Sequence, residues 1–168
     1  MNHVTKPDAY PMPQLDDLIE TIGRCQYISS FDLTKGFWQV ALDPKDQEKI
    51  TFCSPLGLFE FRVMSLVLKN APATFQRLTD KTLQGLGEFT VAYMYNIGIY
   101  SQIWEEHKIH LETVLQRLHE AGLTVKASKC QLGSSELKYL GHLVGGGIIK
   151  PLESKIEAIN NWAKPTSN

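Results

Sequence analysis

The spacing of apolar residues switches between helical and extended periods along the chain, and the switches outline a succession of short elements. Positions 13–23 read as a short helix, with proline near its start and Gly23 at its end. Positions 27–32 carry strand character, and 37–42 look like a second extended run. Asp43 caps a helical turn opened by Pro44, since a short oxygen-bearing side chain accepts from the free N–H groups of a first turn. Positions 51–53 and 58–63 are extended stretches around Ser54-Pro55-Leu56-Gly57, which has the composition of a turn. Asn70 is placed to cap a helix over 70–86, with Pro72 tolerated in a first turn that needs no N–H.

Positions 89–94 and 97–101 are apolar stretches separated by Tyr95-Asn96, the length of the shortest hairpin loop, and asparagine tolerates the backbone angles of such loops. A longer helix is predicted over 104–121, with Leu111, Val114, Leu115 and Leu118 on one face and Gly122 as its stop. Positions 123–126 and 137–144 look like strands. Gly145-Gly146-Gly147 makes a turn before Ile148 and Ile149, and 152–163 form a last helix. Hairpins mixed with helices, without strict strand–helix alternation, define an α+β class with a mainly antiparallel sheet.

Composition acts mainly by exclusion. At 168 residues the chain suffices for one compact domain or two small lobes, and 43% hydrophobic with 21% charged residues is ordinary globular usage. No apolar run approaches the roughly 18 residues of a membrane span. The polar, proline-rich start lacks the apolar core of a signal peptide, so an intracellular location is expected. Cys25, Cys53 and Cys130 fit no zinc or disulfide spacing and read as buried or free thiols. A formal net charge of −1 lacks the basic excess of a stand-alone nucleic-acid binder. Contact with nucleic acid would come from local charge or from parts of a parent protein.

Six segments in order carry a resemblance: Tyr10-Pro11-Met12-Pro13, Phe31-Asp32-Leu33, Asn70-Ala71-Pro72-Ala73-Thr74-Phe75-Gln76, Tyr93-Met94, Glu105-Glu106-His107 and Tyr139-Leu140-Gly141-His142. Together they resemble the reverse transcriptases of Gypsy-type long-terminal-repeat retrotransposons, the Asn70–Gln76 block most specifically. The resemblance covers about 4–165. It implies a polymerase palm, an antiparallel sheet backed by helices, with a fingers insertion. The implied division is palm over 1–39 without the early fingers strands, fingers over 40–80, palm over 81–150, and the start of the thumb connection over 151–168.

The family copies RNA or DNA template-primers into DNA from deoxynucleoside triphosphates, using two Mg²⁺ ions, with Mn²⁺ as a substitute. Carboxylates hold those ions because magnesium is a hard cation that takes charged oxygen ligands. The resemblance places the first metal-binding aspartate on Asp32 and the hairpin pair of aspartates on Tyr95 and Asn96. A phenol and a neutral amide therefore stand where two carboxylates are expected. Two dications about 4 Å apart repel each other and need anionic ligands. A reverse transcriptase domain without productive metal binding and without polymerase activity is the expectation. The alternatives are residual polymerase activity and a recruited nucleic-acid or protein-binding module.

The resemblance also places Phe37 beneath an incoming sugar, Gln76 beside the nucleotide, and Leu140, Gly141 and His142 along the primer end. Arg62, Lys69 and Arg77 are candidate phosphate contacts. Ser65, Leu66 and Val67 replace the family's Pro-Phe-Gly, putting valine where glycine's backbone freedom is expected. Gly98 replaces a larger apolar residue and is expected to weaken its strand. His107 and His110 read as part of a solvated helix face, without a third metal ligand. The glycine triplet lacks the lysine-serine signature of a phosphate loop.

Overall fold

The computed structural model describes residues 2–162. Its elements are α1 (Leu15–Gly23), β1 (Tyr27–Asp32), α2 (Pro44–Gln47), β2 (Thr51–Ser54), β3 (Gly57–Glu60), α3 (Ala71–Thr82), β4 (Thr90–Tyr93), β5 (Asn96–Ser101), α4 (Trp104–Glu120), β6 (Gln131–Ser134), β7 (Glu136–Tyr139), β8 (His142–Gly145), β9 (Ile148–Pro151) and α5 (Glu153–Asn160). A four-stranded antiparallel sheet in the order β4-β5-β1-β6 forms the centre. The hairpin β2–β3 and the three-stranded meander β7-β8-β9 are separate sheets. No described helix is long and apolar enough to cross a membrane.

Strand register explains why both faces of the central sheet are covered. Ile28, Ser30 and Asp32 of β1 pair with Tyr100, Gly98 and Asn96 of β5, while Ser29 and Phe31 pair with Ile99 and Ile97. Successive side chains point to opposite faces, so these two sets serve different layers. Phe31, Ile97 and Ile99 join Phe75 of α3 and Val114 and Leu118 of α4 in one core. Ile28 and Tyr100 join Ile19 and Ile22 of α1 and Leu137, Tyr139 and Val144 of the meander in another. Full burial of each large apolar side chain contributes about 1.5–3 kcal/mol.

Gly98 is closely packed within β5. A Cβ there would lie 2.6 Å from Ile22 Cδ1, 3.0 Å from Val91 Cγ2 and 3.4 Å from Tyr139 Cζ. Gly98→Val should therefore destabilise the fold by about 1–3 kcal/mol through overpacking. A urea midpoint equal to that of the parent would show that Ile22 moves aside without cost.

Several sequence expectations change for identifiable reasons. The run over 37–42 is not a strand: Lys35 and Gly36 take φ of 56° and 44°, and a 3₁₀ turn over Gly36–Gln39 follows. This reversal buries Phe37 edge-on against Phe75. Only Ala41 keeps an extended pairing, with Val63. The stretch 123–126 supplies just one bridge, Val125 to Leu33. Positions 137–144 are two strands, because Leu140 and Gly141 both turn to positive φ. β6 was not anticipated, since Gln131-Leu132-Gly133-Ser134 has little strand character. β3 ends at Glu60 and α3 at Thr82, both short of their predicted limits. Asn70 does not cap α3 with its side chain; its amide donates to the Lys6 carbonyl and its Oδ1 accepts from Asp8 N–H. Val67 takes no positive φ, so its position here does not require glycine. The last helix ends at Asn160, and its predicted end at Ala163 lies outside the described residues.

α4 corrects the reading of its faces. Leu115 is exposed, whereas His107 is fully buried. Its Nε2 lies 2.7 Å from Ser29 Oγ and its Nδ1 lies 2.9 Å from Ser101 Oγ. Ser29 Oγ also accepts from Gly133 N–H, while Ser101 Oγ reaches His110 Nδ1 at 2.8 Å. His110 stacks on Phe89 with ring centroids 3.8 Å apart. These histidines are polar bolts between α4 and the sheet, not a solvated face.

Candidate functional site

Asp32 ends β1, Asn96 begins β5, and the two are direct partners across the sheet. The hairpin loop is Met94-Tyr95, one residue earlier than the sequence suggested, because Tyr93 pairs with Asn96. The positive φ of the loop, 52°, falls on Met94 rather than on asparagine. That unusual angle is held from several sides. Met94 N–H donates to Gln76 Oε1 at 2.7 Å, Thr79 Oγ donates to the Met94 carbonyl at 3.0 Å, and Leu33 N–H donates to the Tyr95 carbonyl at 2.9 Å.

Gln76 is therefore not turned to an open nucleotide position. It is fully buried, and its amide donates to Asp80 Oδ1 and the Ala92 carbonyl while its oxygen accepts from Met94. The reason lies in α3, which packs against β4 and directs this side chain beneath the hairpin. Gln76→Leu should leave the Met94 N–H without its acceptor at a cost of about 1–3 kcal/mol. Accelerated amide exchange at Met94 would report it; unchanged protection there would remove Gln76 from this role.

The same helix carries Arg77, whose Nη2 donates to both Asp8 carboxylate oxygens at 2.9 and 2.7 Å and whose guanidinium lies over the Tyr10 ring. Arg77 holds the Asp8 carboxyl below the usual range, chiefly through this hydrogen bonding. Tyr10 in turn donates to Asp80 at 2.6 Å, and that bond raises the phenol's pKa. Arg77 is thus engaged by the N-terminal segment. Lys69 Nζ likewise donates to the Thr5 carbonyl.

Two clefts meet at Asp32. The first, of about 320 Å³, is lined by Leu33, Lys35, Gly36, Phe37, Trp38, Leu66, Tyr95 and Lys129 as well as Asp32. The Tyr95 ring stands edge-on to Phe37 with centroids 6.1 Å apart and covers Gly36, whose φ is 44°. The second cleft adds Asn96, Lys138, Tyr139 and Leu140. Tyr139 is buried, which pushes its phenol pKa up, and its O–H donates to the Asn96 carbonyl at 3.2 Å. Of the residues expected along a primer, Leu140 lines this cleft, while Gly141 and His142 continue the same turn without lining it. His142 Nδ1 is buried without a hydrogen-bond partner among the described residues.

Lys129 is the residue that sequence reasoning missed. It closes the 3₁₀ turn Ala127–Lys129, and its Nζ lies 3.2 Å from Asp32 Oδ2, with the aspartate side chain 19% exposed. Nearly a hundred residues separate the pair, and no local motif distinguishes Lys129 from other lysines; only the docking of this turn beside β1 brings them together. Asp32 is the sole carboxylate lining either cleft, and no group of three or more metal-ligating side chains exists among the described residues. The donor set does not fit a pair of divalent ions.

A helix-backed antiparallel sheet with an aspartate at the end of one strand and a tight hairpin beside it is the architecture of a polymerase palm. Residues 1–144 match the family model "Reverse transcriptase (RNA-dependent DNA polymerase)". Over its whole length the chain is 36% identical to the Retrovirus-related Pol polyprotein from transposon 297 of Drosophila melanogaster, covering 16% of that protein. It is 34% identical over 99% of its length to the corresponding polyprotein from transposon opus, covering 17% of it. Among solved structures, the foamy viral protease–reverse transcriptase in complex with double-stranded DNA superposes with a TM-score of 0.90 at 22% identity, over 98% of this chain and 29% of that one. The same viral protein with an RNA/DNA hybrid gives 0.89. The chain belongs to the reverse transcriptase family and is a domain of the retrotransposon Pol type. It spans about one-sixth of the two transposon polyproteins.

Proposed function

We propose that this chain is a palm-and-fingers reverse transcriptase domain whose polymerase chemistry has been lost. The observation that carries the reading is the single carboxylate, Asp32, paired with Lys129 where a dication-holding cluster is expected. Phe37 and Tyr95 form the wall of the cleft, and Leu140 borders its far side, so the shape of a nucleotide site survives around altered donors. The complexes of the foamy viral protein with duplexes support a template-primer as the ancestral partner. The separate hairpin β2–β3 lies within the stretch 40–80 read as fingers, between palm over 1–39 and 81–150, with the thumb connection from 151.

Without a metal pair, nothing in the cleft lowers the barrier for a primer hydroxyl to attack a triphosphate. Primer extension with Mg²⁺ or Mn²⁺ tests this directly. No product above the no-protein control is expected, and templated extension by the purified chain would sink the reading.

A further inference from the structure

We propose that the cleft beside Asp32 has reversed its ligand chemistry: it takes the phosphate of a nucleotide directly on lysine ammonium groups, without a metal ion. This deepens the reading of the chain as a reverse transcriptase domain with a lost metal site, and rests on it.

Charge supplies the first argument. The first cleft sets Lys35 and Lys129 against Asp32, and the second sets Lys129 and Lys138 against the same Asp32. Each cleft is lined by one more cation than anion, although the chain as a whole has a formal net charge of −1. A dication approaching Asp32 meets the Lys129 ammonium 3.2 Å from Oδ2, whereas a phosphate meets the net attraction of the second lysine of each cleft, Lys35 or Lys138. Lys129 thus acts as a built-in counter-ion for the carboxylate that a metal would otherwise use.

The two hairpin residues change the site in the same direction. Carboxylates at these positions would repel a bare phosphate. Asn96 instead offers an amide, with N–H donors, to the second cleft. Tyr95 adds an aromatic wall beside Phe37 and Trp38, and Trp38 is 46% exposed, leaving its ring free to stack. Aromatic faces stack on any base, and an adjoining cation holds the backbone charge. A volume of about 320 Å³ suits one nucleotide unit. A free nucleoside triphosphate and the terminal nucleotide of a strand share this chemistry.

The test is calorimetric titration of the full chain with dATP, with a short oligothymidylate and with tripolyphosphate, each in EDTA and in Mg²⁺. Binding of dATP or the oligonucleotide in EDTA, as tight as in Mg²⁺ and about tenfold weaker on raising salt from 50 to 200 mM, is the expected result. Lys129→Gln should weaken it at least about fivefold, and Asp32→Asn, which removes the opposing carboxylate, should tighten it. Preference for dATP identifies a free nucleotide as the ligand, and preference for the oligonucleotide identifies a strand end. Binding that requires Mg²⁺ would overturn the proposal, as would indifference to both substitutions in folded variants. Tripolyphosphate binding as well as dATP would overturn the role of the aromatic wall. A misfolded variant cannot tighten binding, so the opposite directions expected of Lys129→Gln and Asp32→Asn guard against that artefact. Primer extension by the parent chain would strike the underlying reading instead, and metal-independent binding can fail while that reading stands.

Discussion

Tyr95→Asp combined with Asn96→Asp should turn the cleft into a Mn²⁺ site, tightening the ion by about 100-fold relative to the parent, or ~2.8 kcal/mol. Position 96 lies directly across from Asp32, and position 95 adjoins it at the hairpin loop, so three carboxylates would converge on one sheet end. The same geometry predicts a penalty when no metal is present. Like charges directly opposite in an antiparallel pair are destabilising by roughly 1 kcal/mol, and the Tyr95 ring is lost from Phe37 and Gly36. The double variant should therefore unfold at lower temperature than the parent in EDTA and recover with Mn²⁺, as expected when a ligand binds only the folded state. A folded double variant that Mn²⁺ does not stabilise would mean that the backbone no longer holds the carboxylates at a usable spacing. If it binds Mn²⁺ and extends a primer, the defect is confined to the hairpin. If it binds Mn²⁺ and stays silent, the defect extends beyond the hairpin.

Removing the histidine bolt should cost more than any single surface change. His107→Ala leaves a cavity and strips both Ser29 and Ser101 of a ring partner, which together amount to about 3 kcal/mol. The bolt also makes stability depend on pH. Burial, reinforced by the neighbouring His110, lowers the His107 pKa below its ordinary 6.5. The unfolded chain therefore binds a proton more readily than the folded one as pH drops below 6.5. The His107 contribution is complete above pH 6.5 and is eroded on acidification until the folded-state pKa is reached. The groups in contact with the ring are His110, Ser29, Ser101, Tyr27 and Trp104, none of which supplies a compensating carboxylate. Urea midpoints between pH 7.5 and 5 should fall more steeply for the parent than for His107→Gln. Parallel curves would exclude His107 as the titrating group.

The limits of legibility follow from where the information sits. Tyr27–Asp32 was readable because its aromatic and β-branched residues, Tyr27, Ile28 and Phe31, favour an extended strand through their own composition. The end of α4 was readable because Gly122 takes a φ of 69° that other residues resist. Phe37, by contrast, has the local look of a strand residue and sits in a 3₁₀ turn because α3 offers Phe75 to pack against. His107 has the local look of a solvated residue and is buried because Ser29 and Ser101, from two strands, provide partners for both ring nitrogens.

By itself the sequence determined the α+β class, the position of Asp32 at a strand end and the hairpin near 95–96, because these depend on residue identity and short-range spacing. That two carboxylates are expected at 95 and 96 came from the resemblance of the ordered motifs. Only the tertiary structure decided that Lys129 pairs with Asp32, that Gln76 braces the hairpin from beneath, and that the space at Gly98 is filled by Ile22, Val91 and Tyr139. Each of those is a contact between elements far apart in the chain, set by how helices and strands dock, and docking leaves no local mark on the residues it joins.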